Sequence, residues 1–332
     1  GKGLKTAVSG IGKGLSVAAS AGAAVASAVG GAAVATGAFA VNSAVDMDKA
    51  LNGLAASTGA STDEMEEYET VLKKVYANNY GENFQSIADT MAVVRQQMTG
   101  ISDTDMQTLT EAAFAFEDIS GYSPEESLRA ANSLMNQFGV TAEEAYNLMV
   151  QGQQQGLDFS GELLDSINEY APQFKKMGFS AEDMFNIFKS GAESGAFNLD
   201  KIGDAVKENA IRVIDLSEST TNAFTSLGLD ASQMASEFGA GGETAEKAFQ
   251  KVMVGLQSIE DPVKRNQIGT ALWGTMWEDL GETVILSSAD MTDSFDQTAD
   301  SMKKVQDVKY DDLGSMFDGL KRSVEMLVLP LG

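Results

Sequence analysis

The fold is decided by the stretch FGVTAEEAYNLMVQGQQQGLDFSGELLDSINEY at residues 138–170 and by its near-copy MGFSAEDMFNIFKSGAESGAFNLDKIGDAVKEN at residues 177–209. The two align without a gap at a constant offset of 39 residues. Self-similarity at a fixed offset indicates that one structural unit occurs twice. The matched positions are Gly139 with Gly178, Thr141 with Ser180, Glu143 with Glu182, Asn147 with Asn186, Gly152 with Gly191, Gly156 with Gly195, Asp165 with Asp204 and Glu169 with Glu208.

The second copy shows how each unit is expected to fold. A helix is predicted to begin after Gly178, with the hydroxyl of Ser180 as its cap and Glu182 in its first turn, where the helix dipole favours an acid. Gly191 and Gly195 are predicted to end this helix and form a loop. Apolar residues at three-and-four spacing then predict a second helix with one buried face. Each unit is therefore expected to be a helical hairpin.

Other helix starts in the chain have the same chemistry. Ser61 with Glu64 and Ser123 with Glu126 follow the capping-box spacing, as do the hydroxyls of the repeated unit. The acidic doublets at these starts resemble paired catalytic carboxylates, but a first helical turn already explains them. We interpret them as caps and predict no catalytic residue.

Composition extends this reading to an all-α protein. Only four prolines interrupt the 332 residues, so long runs can stay helical. We expect a long apolar N-terminal helix at residues 1–45, a module of short capped helices at residues 46–309 and an amphipathic C-terminal helix at residues 310–332. Because the chain ends on the apolar run SVEMLVLPLG, we expect it to be a fragment that leads into a further C-terminal region. Apolar residues recur in the C-terminal helix at Leu313, Met316, Phe317, Leu320, Val324 and Leu327.

Charge and missing residue types exclude several classes of function. The formal net charge is -25, which argues against a surface that neutralises nucleic-acid phosphates. The chain has no cysteine and no histidine, which excludes disulfides, thiol nucleophiles and imidazole-based catalysis. We expect no metal and no cofactor.

Trp273 and Trp277 form either an aromatic platform or a core anchor, and the apolar residues around them favour the core.

The N-terminal 45 residues differ from the rest, because they hold three lysines and no acid and leave -28 for the remainder. Residues 14–45 are uncharged, which suggests a secretion signal, a membrane span or a self-associating helix. The run is too long and too poor in Leu for a signal, and Ala and Gly gain little from lipid. A coiled-coil heptad and a recurrence of small residues favour self-association. The residues that represent this helix are Leu15, Gly22, Val25, Val29, Gly30 and Phe39.

Two longer stretches resemble a known family. They are DSINEYAPQFKKMGFSAEDMFNIFKSGAESGAFNLDKIGDAVKENAIRV at residues 165–213 and DPVKRNQIGTALWGTMWEDLG at residues 261–281. Both resemble the characteristic region of tail tape measure proteins from phages, prophages and phage-tail-like particles of Gram-positive bacteria. The likeness covers roughly residues 46–286.

The resemblance implies a structural protein without enzyme activity in this region. It implies a position in the lumen of the tail tube near the tip, a role in setting tail length during assembly, and release ahead of the DNA at ejection. The partners implied are other copies of the chain, as a trimer, and the proteins of the tail tube and of the tail tip or baseplate. The alternative is a membrane-active protein whose N-terminal segment forms a channel in the host inner membrane.

Overall fold

The computed structural model of the chain describes residues 32–98, 100–289, 294–309 and 313–328. These ranges contain seventeen helices and no strand, which confirms the all-α prediction. In chain order the helices are α1 (Ala32–Thr58), α2 (Thr62–Ala77), α3 (Phe84–Gln97), α4 (Asp103–Ser120), α5 (Pro124–Phe138), α6 (Ala142–Gln154), α7 (Leu163–Lys176), α8 (Ala181–Glu193), α9 (Leu199–Arg212), α10 (Glu218–Ser226), α11 (Ala231–Ala240), α12 (Gly242–Gln257), α13 (Pro262–Trp273), α14 (Met276–Leu280), α15 (Glu282–Ser287), α16 (Ser301–Lys309) and α17 (Leu313–Val328).

The expected long apolar N-terminal helix is not found in the described ranges. Residues 1–31 lie outside them, and with them Leu15, Gly22, Val25, Val29 and Gly30 of the predicted self-associating helix, whereas Phe39 lies in α1. The 27-residue helix α1 instead runs from the uncharged stretch into acidic sequence and buries apolar side chains of its second half. Within the described ranges, no helix has the length and apolar character needed to cross a membrane.

Six helices, α2, α4, α5, α6, α8 and α11, begin in the same way. Each follows a glycine in the left-handed region, one apolar residue and a capping side chain that accepts a hydrogen bond from the amide three positions later. Three of these glycines, Gly100, Gly139 and Gly178, are spaced 39 residues apart. The repeat recognised twice in the sequence therefore has a third copy upstream, built from α4 and α5.

The three hairpins stack side by side in two layers. The first helices, α4, α6 and α8, contact one another in sequence, and so do the second helices, α5, α7 and α9. The core between the layers is aromatic and aliphatic, with Tyr146, Tyr170, Phe174 and Phe185 fully buried. Helices α1–α3 cover the end at α4, while α13–α15 cover the end at α8 and α9.

The C-terminal helix α17 is present, with Glu325 buried and Met326 partly buried against the hydrophobic core. Leu320 and Val324, on the predicted apolar stripe, are 42% and 45% exposed. The helix instead packs against α1 and α2, where the buried carboxylate of Glu325 accepts hydrogen bonds from the Ser43 hydroxyl and, at 2.7 Å, from the Tyr76 hydroxyl. The helix predicted at residues 310–332 is therefore present over Leu313–Val328, and a polar anchor at Glu325 holds the side opposite Leu320 and Val324.

Candidate functional site

The loop between α7 and α8 places the first of the predicted motif residues. Gly178 has φ 91°, and a Cβ added there would lie 2.0 Å from the carbonyl oxygen of Gly242, at the start of α12. Ser180 and Asp183 form a complete capping box: the Asp183 amide donates to Ser180 Oγ at 3.0 Å, and the Ser180 amide donates to Asp183 Oδ2 at 2.8 Å. This corner therefore both starts a helix and holds a neighbouring element closely.

Gly191 and Gly195 have separate roles. Gly191 lies inside α8, not at its end, and a Cβ added there would meet Ile202 Cδ1 at 2.6 Å. Gly195 follows the helix with φ 99° and has open space around it. The prediction that both glycines form the turn is thus wrong for Gly191, which lets the two helices of the hairpin approach each other.

The two tryptophans pack in the core. Trp273 ends α13 and Trp277 lies in α14, with a break between the two helices at Gly274. Their ring centroids are 5.9 Å apart, both side chains are buried, and Trp277 Nε1 donates to Asn266 Oδ1 at 3.1 Å. This geometry leaves no open aromatic platform at these residues.

A segment of the chain far from the hairpins in sequence lies across α6 and α8. We call residues 294–302 the strap; its last two residues begin α16, which continues over α4 and α6. The strap buries the hydrophobic side chains of Phe295 and Met302, and the side chain of Ser301 is buried as well. The Phe295 ring lies 5.3 Å from the ring of Phe185 on α8, centroid to centroid. The strap thus covers part of the outer face of the first-helix layer.

Helix α6 holds the strap with two amide side chains. Asn147 donates from Nδ2 to the carbonyl oxygen of Gln297 at 3.0 Å and accepts at Oδ1 from the Met302 amide at 2.9 Å. Gln151 donates from Nε2 to the carbonyl oxygen of Asp296 at 2.7 Å and accepts at Oε1 from the amide of the same residue at 3.0 Å. Both side chains are satisfied by strap main chain.

Helix α8 and the end of α6 add three more contacts. Asn186 Oδ1 accepts from the Ser294 amide at 3.1 Å, and Glu182 Oε1 accepts from the Gln297 amide at 2.9 Å. Gln155 donates from Nε2 to the carbonyl oxygen of Ser294 at 3.0 Å. The predicted motif residue Glu182 therefore binds the strap, in addition to lying in a first helical turn.

The asparagines of the repeat are the residues whose role the sequence did not reveal. Asn147 and Asn186 occupy matching positions 39 residues apart and are 3% and 4% exposed. A buried amide repeated on an otherwise apolar helix face is costly unless it is hydrogen-bonded. That repetition was the available signal, but the partner lies more than 100 residues away along the chain.

Acidic and phenolic groups join neighbouring hairpins. The Tyr170 hydroxyl of α7 donates to Asp200 at 2.7 Å and lies 3.1 Å from an oxygen of Asp204, both on α9. Burial, followed by these two acids, raises the pKa of Tyr170 well above its usual value, so the phenol stays protonated. Within the described ranges, no group of three or more acids is placed to hold a metal ion.

A depression of about 630 Å³ lies near α13 and includes Arg212 in its lining. The Arg212 guanidinium is paired with Glu208, Nε to Oε1 at 2.6 Å. A cation already engaged in this way is a weak anchor for an anionic ligand. The candidate functional site is therefore the set of contacts between the strap and helices α6 and α8.

Comparison with known proteins identifies the family. A family model described as phage-related minor tail protein matches residues 74–274. The chain belongs to this family. The match covers all three hairpins and Trp273, and the resemblance to tail tape measure proteins is thereby confirmed. A structural role in a phage tail, in association with other tail components, follows from the family.

Two relatives show how the chain relates to longer proteins. It is 29% identical over 185 residues to a probable tape measure protein of Streptomyces phage phiC31, which covers 55% of this chain and 25% of the relative. It is 30% identical over 215 residues to the uncharacterized protein YqbO of Bacillus subtilis (strain 168), which covers 64% of this chain and 14% of the relative. The matched region thus spans a quarter or less of these proteins. No solved structure matches the chain.

Proposed function

We propose that this chain is the hairpin-bearing part of a tail tape measure protein. In this proposal it lies in the lumen of the tail tube near the tip, takes part in setting tube length during assembly, and leaves ahead of the DNA at ejection. The observation that carries the proposal is the family match over residues 74–274, together with a relative named as a probable tape measure protein.

The charge of the chain supports a position in the path of the DNA. The residues from Asp46 onward hold a net charge of -28, so passing DNA is repelled and not retained. No specific nucleic-acid binding is part of the proposal. The many short capped helices also support it, since such a module can unfold in pieces when it leaves the tube.

The role proposed is structural and not enzymatic. The acids that resembled catalytic pairs are used locally: Glu126 and Glu144 close capping boxes, and Glu182 binds the strap. The proposed partners are other copies of the chain, as a trimer, and the proteins of the tail tube and tail tip or baseplate.

Deletion of the gene in the parent particle tests the proposal. Without the protein, tail tubes seen by negative-stain electron microscopy should be absent or irregular in length. Expression of the intact gene from a plasmid is the control and should restore a single length. Tubes of normal, uniform length in the deletion strain would contradict the proposal.

A membrane-active role at ejection is the second candidate, because residues 14–45 contain no charged residue. In this proposal the N-terminal segment forms a channel in the host inner membrane. A peptide of residues 1–45 should then release dye from liposomes, and Ala26→Asp should abolish the release, since a charge in the bilayer core is costly. Absence of leakage at every lipid composition tested would confine the segment to self-association.

A further inference from the structure

The strap is bound almost entirely through its main chain. Seven hydrogen bonds run between the strap and side chains of α6, of α8 and of Gln155 just after α6, and each ends on a backbone amide or carbonyl group of the strap. Asp296 and Thr298 of the strap, by contrast, are exposed and bond to each other. The strap is therefore recognised largely without regard to its polar side chains.

Gln151 shows the mode of recognition most clearly. Its amide donates to the carbonyl oxygen of Asp296 and accepts from the amide of the same residue, as a neighbouring β-strand does. In peptide-binding grooves that add a strand, main-chain hydrogen bonds supply the affinity, and pockets for a few side chains supply the specificity. Here Phe295 and Met302 are the two buried hydrophobic side chains.

An empty groove would also cost free energy. Asn147, Gln151 and Asn186 are at least nine-tenths buried and find partners in the strap. Without an occupant, buried amides lose these hydrogen bonds, so the groove favours being filled, either by the chain's own strap or by an equivalent stretch of main chain. If the strap were held by apolar contacts alone, α6 and α8 would not need buried amide side chains at these positions.

We propose that α6 and α8 form a binding groove for an extended peptide, and that the strap of a second copy of the chain replaces the chain's own strap there. The same segment of another copy offers the same main chain and the same two apolar anchors. Neighbouring copies are then linked by strap exchange. This inference goes beyond the tape measure role, which is tested separately by measuring tail length.

Peptide binding to the full 332-residue chain tests the groove. The probe is a fluorescein-labelled peptide of residues 294–309, and its affinity is measured by fluorescence anisotropy. Wild-type chain should bind weakly, because its own strap competes at a high effective concentration. The double variant Phe295→Ala, Met302→Ala weakens the chain's own strap and should bind the peptide at least about tenfold more tightly.

Changes in the peptide test main-chain recognition without altering the folded chain. Methylation of the Asp296 backbone nitrogen removes the donor to Gln151 and should weaken binding to the double variant about tenfold or more. A peptide in which Asp296 and Thr298 are alanine should bind within about threefold of the original, because the carboxylate and hydroxyl removed contact each other and not the groove.

Changes in the groove use a matched pair of variants on α6. In the double-variant background, Asn147→Ala should weaken peptide binding, whereas Gln154→Ala, at an exposed position of the same helix, should not. Hydrogen exchange reports whether the chain's own strap has been released. If the strap is released and the peptide still does not bind, or if the N-methylated peptide binds as well as the original, the proposal is overturned.

Discussion

The close approach at Gly178 gives the sharpest prediction for the fold. Gly139 and Gly178 are equivalent residues of the repeat, with φ 76° and 91°. A Cβ at Gly139 would meet nothing within 4 Å, whereas one at Gly178 would meet the backbone of Gly242 at 2.0 Å and the Glu246 nitrogen at 2.9 Å. The two positions therefore share a backbone conformation and differ in their surroundings.

The magnitude follows from these two contributions. An alanine in the left-handed region costs about 1 to 2 kcal/mol, and this is all that Gly139→Ala should lose. Gly178→Ala bears the same cost and must also push α12 away, at about 1 to 3 kcal/mol for overpacking or more, since the obstacle is backbone. We expect a total loss of about 2 to 5 kcal/mol at Gly178.

Urea unfolding followed by circular dichroism at 222 nm measures both variants against the wild type. Tryptophan fluorescence adds a local signal, because Phe249 of α12 packs against Trp273, with ring centroids 6.4 Å apart. Gly100→Ala is a second control, since that glycine also has φ 76° and open space. Equal losses for Gly178→Ala and Gly139→Ala, within about 0.5 kcal/mol, would refute the packing of α12 on this corner.

Three further predictions concern helix anchors, the tryptophans and pH. Glu325→Ala leaves two buried hydroxyls without their acceptor and should cost about 1 to 3 kcal/mol and speed hydrogen exchange in α17, unlike Asp318→Ala on its exposed side. Trp277→Phe removes the donor to Asn266 and should cost about 1 to 3 kcal/mol in urea unfolding. Hydrogen bonds from Ser123 lower the pKa of Glu126 below its ordinary 4.5, so the stabilisation from this acid is present above that pH and is lost as the pH falls through the lowered value. Glu126→Gln should therefore reduce the loss of stability on acidification, measured by urea unfolding between about pH 3 and 7.

Each of these has an outcome that contradicts it. Unchanged exchange in α17 after Glu325→Ala would show that the polar anchor does not hold the helix. Full stability of Trp277→Phe would mean that the indole hydrogen bond contributes nothing net. If Glu126→Gln loses as much stability on acidification as the wild type, the capping box does not contribute to the pH dependence of stability.

Local chemistry was predictable from the sequence, and long-range contacts were not. The capping boxes at Ser61, Ser123, Thr141 and Ser180 need only residues within one turn, and all four are present. The third copy of the repeat is not evident in the sequence because α4 runs to 18 residues, five more than α6 or α8, and its sequence diverges after the cap at Ser102. The start of a helix can thus be predicted from its capping residues, even where the rest of the helix shows no recognisable repeat.

The strap and Gly191 illustrate what pattern alone misses. Asn147 and Asn186 were visible as matched residues, but a hydrogen bond to residue 294 or 302 depends on how the chain returns over the hairpins. Glycine commonly ends a helix, and the sequence pattern predicts that role for Gly191. Its actual role, to admit Ile202, depends on a contact between two helices that spacing along one helix does not report.

A cryo-electron microscopy map of the intact tail of the parent particle tests the central claim most directly. The account predicts that residues 46–309 occupy density inside the tube lumen near the tip, with the three stacked hairpins recognisable and related to other copies by the symmetry of an oligomer. The map also shows whether each groove on α6 and α8 holds its own strap or that of a neighbour. Density for this module on the outside of the tube, or none in the lumen, would contradict the account.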